Sequence, residues 1–340
     1  MSRKIINLLL ITLLTLNLSL TFYLSTRINF PGRQTGEACI ILIEKGWTPK
    51  KIARELKRAR IIQDHFAFYL SYSLYFSPHY LKAGEYKFGQ PITPKRAMLD
   101  MITGKVLLHP LTVPEGLTFK EIADLIEQKK YPLEGSFREA CYDTSLVAEI
   151  DPVAPNLEGY LFPETYYFSR GVSAKDITRA MVDQFNKNFG KEALQRTREL
   201  KMTVREVVTL ASLIEKETSL HEEKPLVSAV FHNRLRLGMK LDCDPTIIYA
   251  LKLENRFDGN LKLEHKKLNS PYNTYLYRGL PPGPICNPGK DSIQAALYPA
   301  QVDYLYFVSR NDGSHVFSRS YSEHLKAVRK YQLKNTRHLR

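Results

Sequence analysis

The chain has 340 residues, a formal charge of +14, and 44% hydrophobic and 25% charged residues, which gives room for two or three folded domains and excludes bulk disorder. The basic excess favours an anionic partner, whether nucleic acid, acidic lipid or a cell-wall polymer, although scattered Lys and Arg also suit a plain solvated surface. Cys39, Cys141, Cys243 and Cys286 form no C-x-x-C pair and no Cys/His ligand spacing, which counts against a structural zinc site; their disulfide pairing, if any, is open.

From Ile5 to Thr26 no residue is charged, and Arg3 and Lys4 precede the stretch. That length crosses a bilayer as a helix. A signal peptide is the competing reading, but its apolar region is usually shorter and ends at a small-x-small site, which is not found here. An uncleaved single-pass anchor is therefore expected over residues 1–27. Arg27 and Arg33 nearly balance the flanking charge, and the very short tail favours a cytoplasmic N-terminus with the bulk outside. Such an anchor argues against nucleic acid as the partner.

After a linker at 29–38, "CIILIE" (39–44) reads as a strand. "GWTPKKIARELKRA" follows as a helix capped by Thr48, with Pro49 in its first turn and Ile52, Ala53 and Leu56 on one face. Next, Phe66, Tyr69, Leu70, Ser73 and Leu74 are spaced to line a packed helix face, and "GEYKFG" reads as a hairpin arm. The phrase around Thr48 returns in "GLTFKEIADLIEQ". Gly46, Thr48, Lys50, Ile52 and Ala53 match Gly116, Thr118, Lys120, Ile122 and Ala123, and Thr118 and Glu121 predict a capping box. Two ordinary capped helices would also account for five matches; either way a boundary falls near His109.

Beyond residue 150 the chain becomes aromatic and turn-rich. "AKDITRAMVDQFNKNFG" predicts an amphipathic helix stopped by Gly190, and further helices are expected over 203–218 and 224–238. Asp242 and Asp244 in "LDCDPT" are candidate helix caps. The Pro- and Gly-laden run 270–289 predicts a long loop ordered by its aromatics. The tail reads as strand, Asn311-Asp312-Gly313 turn, strand and final helix. Helices predominate over short strands and hairpins, so the fold class is α+β.

The 203–218 helix carries two acids, Glu215 and Glu217. At about 100° per residue, Val204, Val207, Val208, Ala211 and Ile214 form one apolar sector that includes Glu215, and Glu217 lies beyond its edge. Glu215 is then either a desolvated general acid or half of a buried ion pair with Lys or Arg; Glu217 is expected to be solvated or capping. Glu158 and Glu164 sit among aromatics, as sugar-contacting acids do. His315 could serve Cys286 as a base, but nothing in the sequence brings them together. There is no H-E-x-x-H, G-x-S-x-G or Walker loop, which counts against zinc proteases, serine hydrolases and NTPases.

"LEGYLFPETYYF" (157–168), "ASLIEKET" (211–218), "VFHNRLRLGMKLDCDPTIIYAL" (230–251), "SPYNTYLYRGLPPGPICNPG" (270–289) and "AALYPAQVDYLYFV" (295–308) occur in that order. Together they resemble the endolytic murein transglycosylase (YceG-like) family, and the "GWTPKKIA" phrase resembles a LysM-like peptidoglycan-binding unit. The resemblance implies a transmembrane anchor at 1–27, a LysM-like α+β subdomain at 28–108 and a larger, mostly helical catalytic domain at 109–340. It implies an anchored enzyme that cuts the β-1,4 bond from N-acetylmuramic acid to N-acetylglucosamine in nascent peptidoglycan strands, leaves 1,6-anhydro ends, terminates elongation and works beside peptidoglycan synthases. The catalytic residue it implies is Glu215. Glu158, Asn233, Arg234, Asp244, Thr246, Tyr272, Asn273 and Gly283 match family positions that shape the substrate site, and no metal or other cofactor is implied. A muramidase, with Asp244 or Glu158 as second carboxylate, and a non-catalytic glycan-binding scaffold are the alternatives.

Overall fold

A computed structural model describes residues 3–31, 38–89 and 91–333. The chain forms two compact units, Met1–Pro110 with Tyr167–Gly171, and Leu111–Tyr166 with Val172–Arg340. The expected linker at 29–38 falls mostly outside the described residues.

In the first unit, helix α1 (Arg3–Asn29) has no charge between Lys4 and Arg27, and among the described residues it is the one helix long and apolar enough to cross a membrane. Strand β1 (Cys39–Ile43) leads into α2 (Pro49–Arg58), whose Thr48 cap accepts from the Lys51 amide; Ile52, Ala53 and Leu56 are buried as their spacing predicts. Helix α3 (His65–Ser71) is capped by Asp64 and runs into a single π-helical turn, Tyr72–Phe76. Its buried face is Ala67, Phe68, Ser71 and Tyr72, whereas Phe66 and Leu74 are exposed. The buried face is therefore nearly opposite the expected one, about half a turn away at about 100° per residue: aromatics occupy all sides of this segment, and periodicity has no contrast to work on. Strand β2 (Gly84–Phe88) is not an arm of a local hairpin. Its antiparallel partner is β1, with α2 and α3 between them in sequence and Ile41 opposite Tyr86. Helix α4 (Pro94–Thr103) is capped by Thr93 and ended by Gly104 in the left-handed region. Ile43, Ile52, Leu56, Phe68, Tyr86, Met98 and Met101 fill the core of this unit.

The chain passes into the second unit within β3 (Leu108–Thr112). There, α5 (Phe119–Gln128) opens with the capping box of Thr118 and Glu121. A two-residue parallel ladder joins β4 (Leu133–Glu134) to β6 (Val172–Ser173), with short α6 (Phe137–Ala140) and β5 (Thr165–Ser169) between them in sequence. Helix α7 (Ala174–Glu199) breaks its geometry at Gly190, with φ at 61°; the expected stop is there, and a second helical run starts at once beyond it.

Helix α8 (Val204–Glu217) begins with a capping box of Thr203 and Glu206, and every residue from Val207 to Ile214 is buried. It is the unit's central helix, packed on α9 (Lys224–Arg236), α10 (Asp244–Leu253) and α11 (Lys290–Leu297). Fully buried aliphatic side chains such as Leu210, Leu213 and Ile214 contribute ~1.5–3 kcal/mol each. The cap of α10 is Cys243, whose side chain makes no capping bond to the first turn, in place of the expected aspartates. Loop 270–289 leads into α11, and the Asn311 turn joins β7 (Tyr306–Ser309) antiparallel to β8 (His315–Ser318) before α12 (Tyr321–Val328).

Candidate active site

The C-terminal end of α8 meets the Glu115-Gly116 turn, the start of α9 and the N-terminus of α11. Glu215 Oε2 accepts three hydrogen bonds there, from the Gly289 amide at 3.1 Å, the Ser292 hydroxyl at 2.6 Å and Lys224 Nζ at 3.3 Å. Gly289 is the cap residue of α11, so this oxygen also sits at the positive end of a helix dipole. Oε1 carries no hydrogen bond among the described residues.

The Lys224 side chain is 3% exposed and faces a second acid: its Nζ lies 3.9 Å from Glu115 Oε2. Burial and the charge of Glu215 hold the Glu115 carboxyl above the usual carboxylate range, against the opposing pull of Lys224. Gly289 makes this packing possible, because a Cβ on it would stand 1.9 Å from Glu115 Oε1. Lys216 Nζ donates to the Gly116 carbonyl at 3.2 Å, and His221 bonds Asp291 near Glu115. The apolar setting expected for Glu215 gives way to a polar cradle with a buried lysine, the ion-pair alternative. Its neighbours on α8 are apolar, but the segments packed over the helix end bring donors.

Glu217 departs from expectation too. It is half-buried, takes a hydrogen bond from the Cys243 thiol and has Asp244, His315 and Arg234 nearby; desolvation pushes its carboxyl up to about 7. Because α8 is enclosed on all sides, no edge of its apolar sector opens to water.

The residues expected around the substrate fall into separate neighbourhoods. Glu158 is fully buried. Its Oε1 accepts from the Phe119 amide at 3.0 Å and Asn287 Nδ2 at 3.1 Å, its Oε2 from the Tyr249 hydroxyl at 3.3 Å, and burial pushes its carboxyl up to about 8. It lines a cavity of about 280 Å³ with Lys120, Glu121, Tyr249 and Lys252. Tyr272 packs on Tyr249 with ring centres 4.9 Å apart, and Gly283 lies by the Tyr272 hydroxyl and the Arg205 guanidinium.

Asp244, in the first turn of α10, accepts from Tyr275 at 2.7 Å and pairs with Lys266 at 2.9 Å. Buried Thr246 bonds the Cys243 carbonyl and Thr274, while buried Asn273 bonds the carbonyls of Lys266 and Leu268. Asn233 donates to the carbonyls of Val302 and Tyr304, and Arg234 to those of Leu305, Lys240 and Leu241. Asn233, Arg234, Thr246 and Asn273 thus hold loops in place, and none has a contact with Glu215. His315 pairs with Glu223 and Cys286 with the Ser212 carbonyl, so these two do not form a base–thiol pair. All four cysteines are free.

Sequence reading missed Glu115, Lys224, Gly289, Ser292 and Asn287. Asn287 joins three loops: its Oδ1 accepts from the amides of Gly159 and Leu161, and its Nδ2 donates to Leu117 O and Glu158. A signal existed for two of these residues, Asn287 and Gly289 in "CNPG"; nothing local marks the others.

Residues 41–330 match the YceG-like family. The chain is 32% identical over 307 residues to an endolytic murein transglycosylase of Bacillus subtilis, covering 86% of this chain and 84% of that protein. A protein of the same name from Streptococcus pneumoniae is 28% identical over 83% of this chain, which spans 56% of its length. A crystal structure of a YceG-like protein from Listeria monocytogenes matches with a TM-score of 0.58 at 32% identity, over 85% of this chain and 98% of that one.

Proposed function

The chain belongs to the YceG-like family, and from that premise we propose that it is an endolytic peptidoglycan lytic transglycosylase with Glu215 as its acid and base. The observation that supports this most is the one-sided cradle of Glu215, in which three donors meet on Oε2 and leave Oε1 unengaged. Oε1 carries the proton to the glycosidic oxygen as its bond to the muramic C1 breaks. The carboxylate left behind is stabilised by donors already in position. It then takes a proton from the muramic C6 hydroxyl as that oxygen bonds C1, giving a 1,6-anhydro end with no water consumed. The nucleophile belongs to the sugar that is cut, so a high effective concentration drives ring closure.

Lys224 serves two carboxyls. With one positive charge between Glu115 and Glu215, ionising both leaves a net negative charge in a confined site, and burial with the charge of Glu215 holds the Glu115 carboxyl above its usual range. Glu115 also gives the hydrolytic alternative a specific basis, since a second carboxyl could activate water. Product mass separates the two: transglycosylase fragments are one water lighter than hydrolase fragments, and a scaffold yields none.

In this reading α1 spans the membrane with its N-terminus in the cytoplasm, and the catalytic unit acts outside, on strands emerging from a synthase. The first unit serves as a LysM-like grip on glycan, which the repeated phrase at 46–53 supports. Glu158, Tyr272, Gly283 and Asp244 shape the substrate site, with Asn233, Arg234, Thr246 and Asn273 as its scaffold.

A further inference from the structure

A hydrocarbon core of about 30 Å takes about 20 helical residues. Counted from Ile5, the first residue past Lys4, about 20 residues end near Leu24. The first unit, however, already grips α1 at that level. Leu24 is 2% exposed, Ile28 is buried and the Tyr23 hydroxyl bonds Asp64 at the cap of α3. Thr21, Leu24, Ser25 and Ile28 line a cavity of about 360 Å³ together with Tyr75, Phe76 and Lys95. If α1 spans the bilayer, as proposed above, its last hydrocarbon-depth turn is covered by protein, and α3 with its π-helical turn stands at the boundary between acyl chains and headgroups.

The residues exposed on those elements suit that depth. Tyr75 is 59% exposed, and Phe66 and Leu74 are exposed to a similar degree. Tyr75 is amphipathic, the kind of residue enriched where membrane meets water, and Phe66 and Leu74 are of the kind that interfacial helices bury among headgroups and acyl chains. Lys95 also lines that cavity, and its ammonium is the group that attracts an anionic lipid headgroup.

We infer that this corner of the first unit is seated in the membrane interface, with Phe66, Leu74 and Tyr75 entering the headgroup–acyl boundary and Lys95 meeting a phospholipid phosphate. The anchor then does more than tether: it sets the unit at a fixed depth against the bilayer that α1 crosses.

The test uses the full chain in phospholipid vesicles, with Trp47, its one tryptophan, replaced by Phe. Tryptophan is then introduced singly as Tyr75→Trp, Leu74→Trp or Leu13→Trp, and its emission is read with lipids brominated at shallow or deep acyl positions. The expected result is a blue shift of the residue-74 and residue-75 reporters with strong loss of emission to shallow bromines, and loss to deep bromines at residue 13. Solvent-like, unquenched emission at both 74 and 75 with residue 13 quenched overturns the proposal and leaves the span standing. A blue shift at 74 and 75 without bromine quenching means that a second copy of the chain covers the patch, which also overturns it. No quenching at residue 13 removes the span and this inference together.

Discussion

Lys224 Nζ lies 3.3 Å from Glu215 Oε2, on a side chain only 3% exposed, with Glu115 as its other neighbour. A buried ammonium in that position holds the Glu215 carboxyl in one orientation and compensates the charge that appears when the proton leaves. Lys224→Met should lower kcat by about 100-fold or more, on the scale of removing one preorganised donor. It should also cost ~3–5 kcal/mol of stability, because two carboxyls lose their cation. Lys224→Arg, which keeps the charge, should recover part of both. Denaturant titration beside turnover measurement checks this; unchanged kcat in Lys224→Met would remove Lys224 from the site.

Gly289 touches both acids, through its amide on Glu215 and its missing Cβ beside Glu115. Alanine there would set a methyl 1.9 Å from Glu115 Oε1, so either Glu115 or the start of α11 must move. Gly289→Ala should lose at least ten-fold in kcat, about 1.4 kcal/mol of barrier. Gly283→Ala should be milder in turnover, since its nearest obstacle is the Arg205 guanidinium, held by Asp151 and the Pro282 carbonyl, rather than either acid of the cradle. Equal effects in parallel turnover assays would show that the contact between Gly289 and Glu115 has no special standing.

Glu158 yields a pH signature. Its carboxyl is raised in the fold to about 8 from an ordinary value of 4.5, chiefly by burial. A raised acid binds its proton more tightly when folded, so stability is fully present below the unfolded value and falls as pH climbs from about 4.5 toward 8. Within that window the native state holds the extra proton, and the slope approaches ~1.4 kcal/mol per pH unit. Glu158→Gln lacks that slope, so its stability relative to wild type should improve steadily from pH 5 to pH 8. Thermal unfolding across that range reads the effect, and parallel curves for the two proteins would contradict it.

Glu217 should prove structural. Its carboxyl, raised to about 7, meets the Cys243 thiol on another face of α8 from the Glu215 cradle. Glu217→Gln should keep kcat within a few-fold of wild type and gain stability relative to it between about pH 5 and 7, by the same sign argument. A thousand-fold loss of turnover with an intact fold would move Glu217 into the chemistry.

What the sequence made legible was local. The capping box of Thr118 and Glu121 and the cap of Thr48 each join residues within a turn, and short-range chemistry specifies them. The direction of Glu215 away from open solvent followed from helical period. Its partners did not: Glu115, Lys224, Gly289 and Ser292 come from three segments that only the tertiary fold brings together. The errors have one origin. Period separates an inside from an outside, whereas α8 has protein on every side and α3 has aromatics on every side; Glu217 and Phe66 were therefore assigned the wrong surroundings.

The most direct measurement counts 1,6-anhydro ends by mass spectrometry after purified peptidoglycan strands are incubated with the wild-type chain and with Glu215→Gln. The wild type should produce them, and the variant should fall by about 10²–10⁴, the span of a lost acid–base group, while still folding and binding strands. Anhydro ends formed by the variant at a rate near wild type would mean that the proton travels through some other residue.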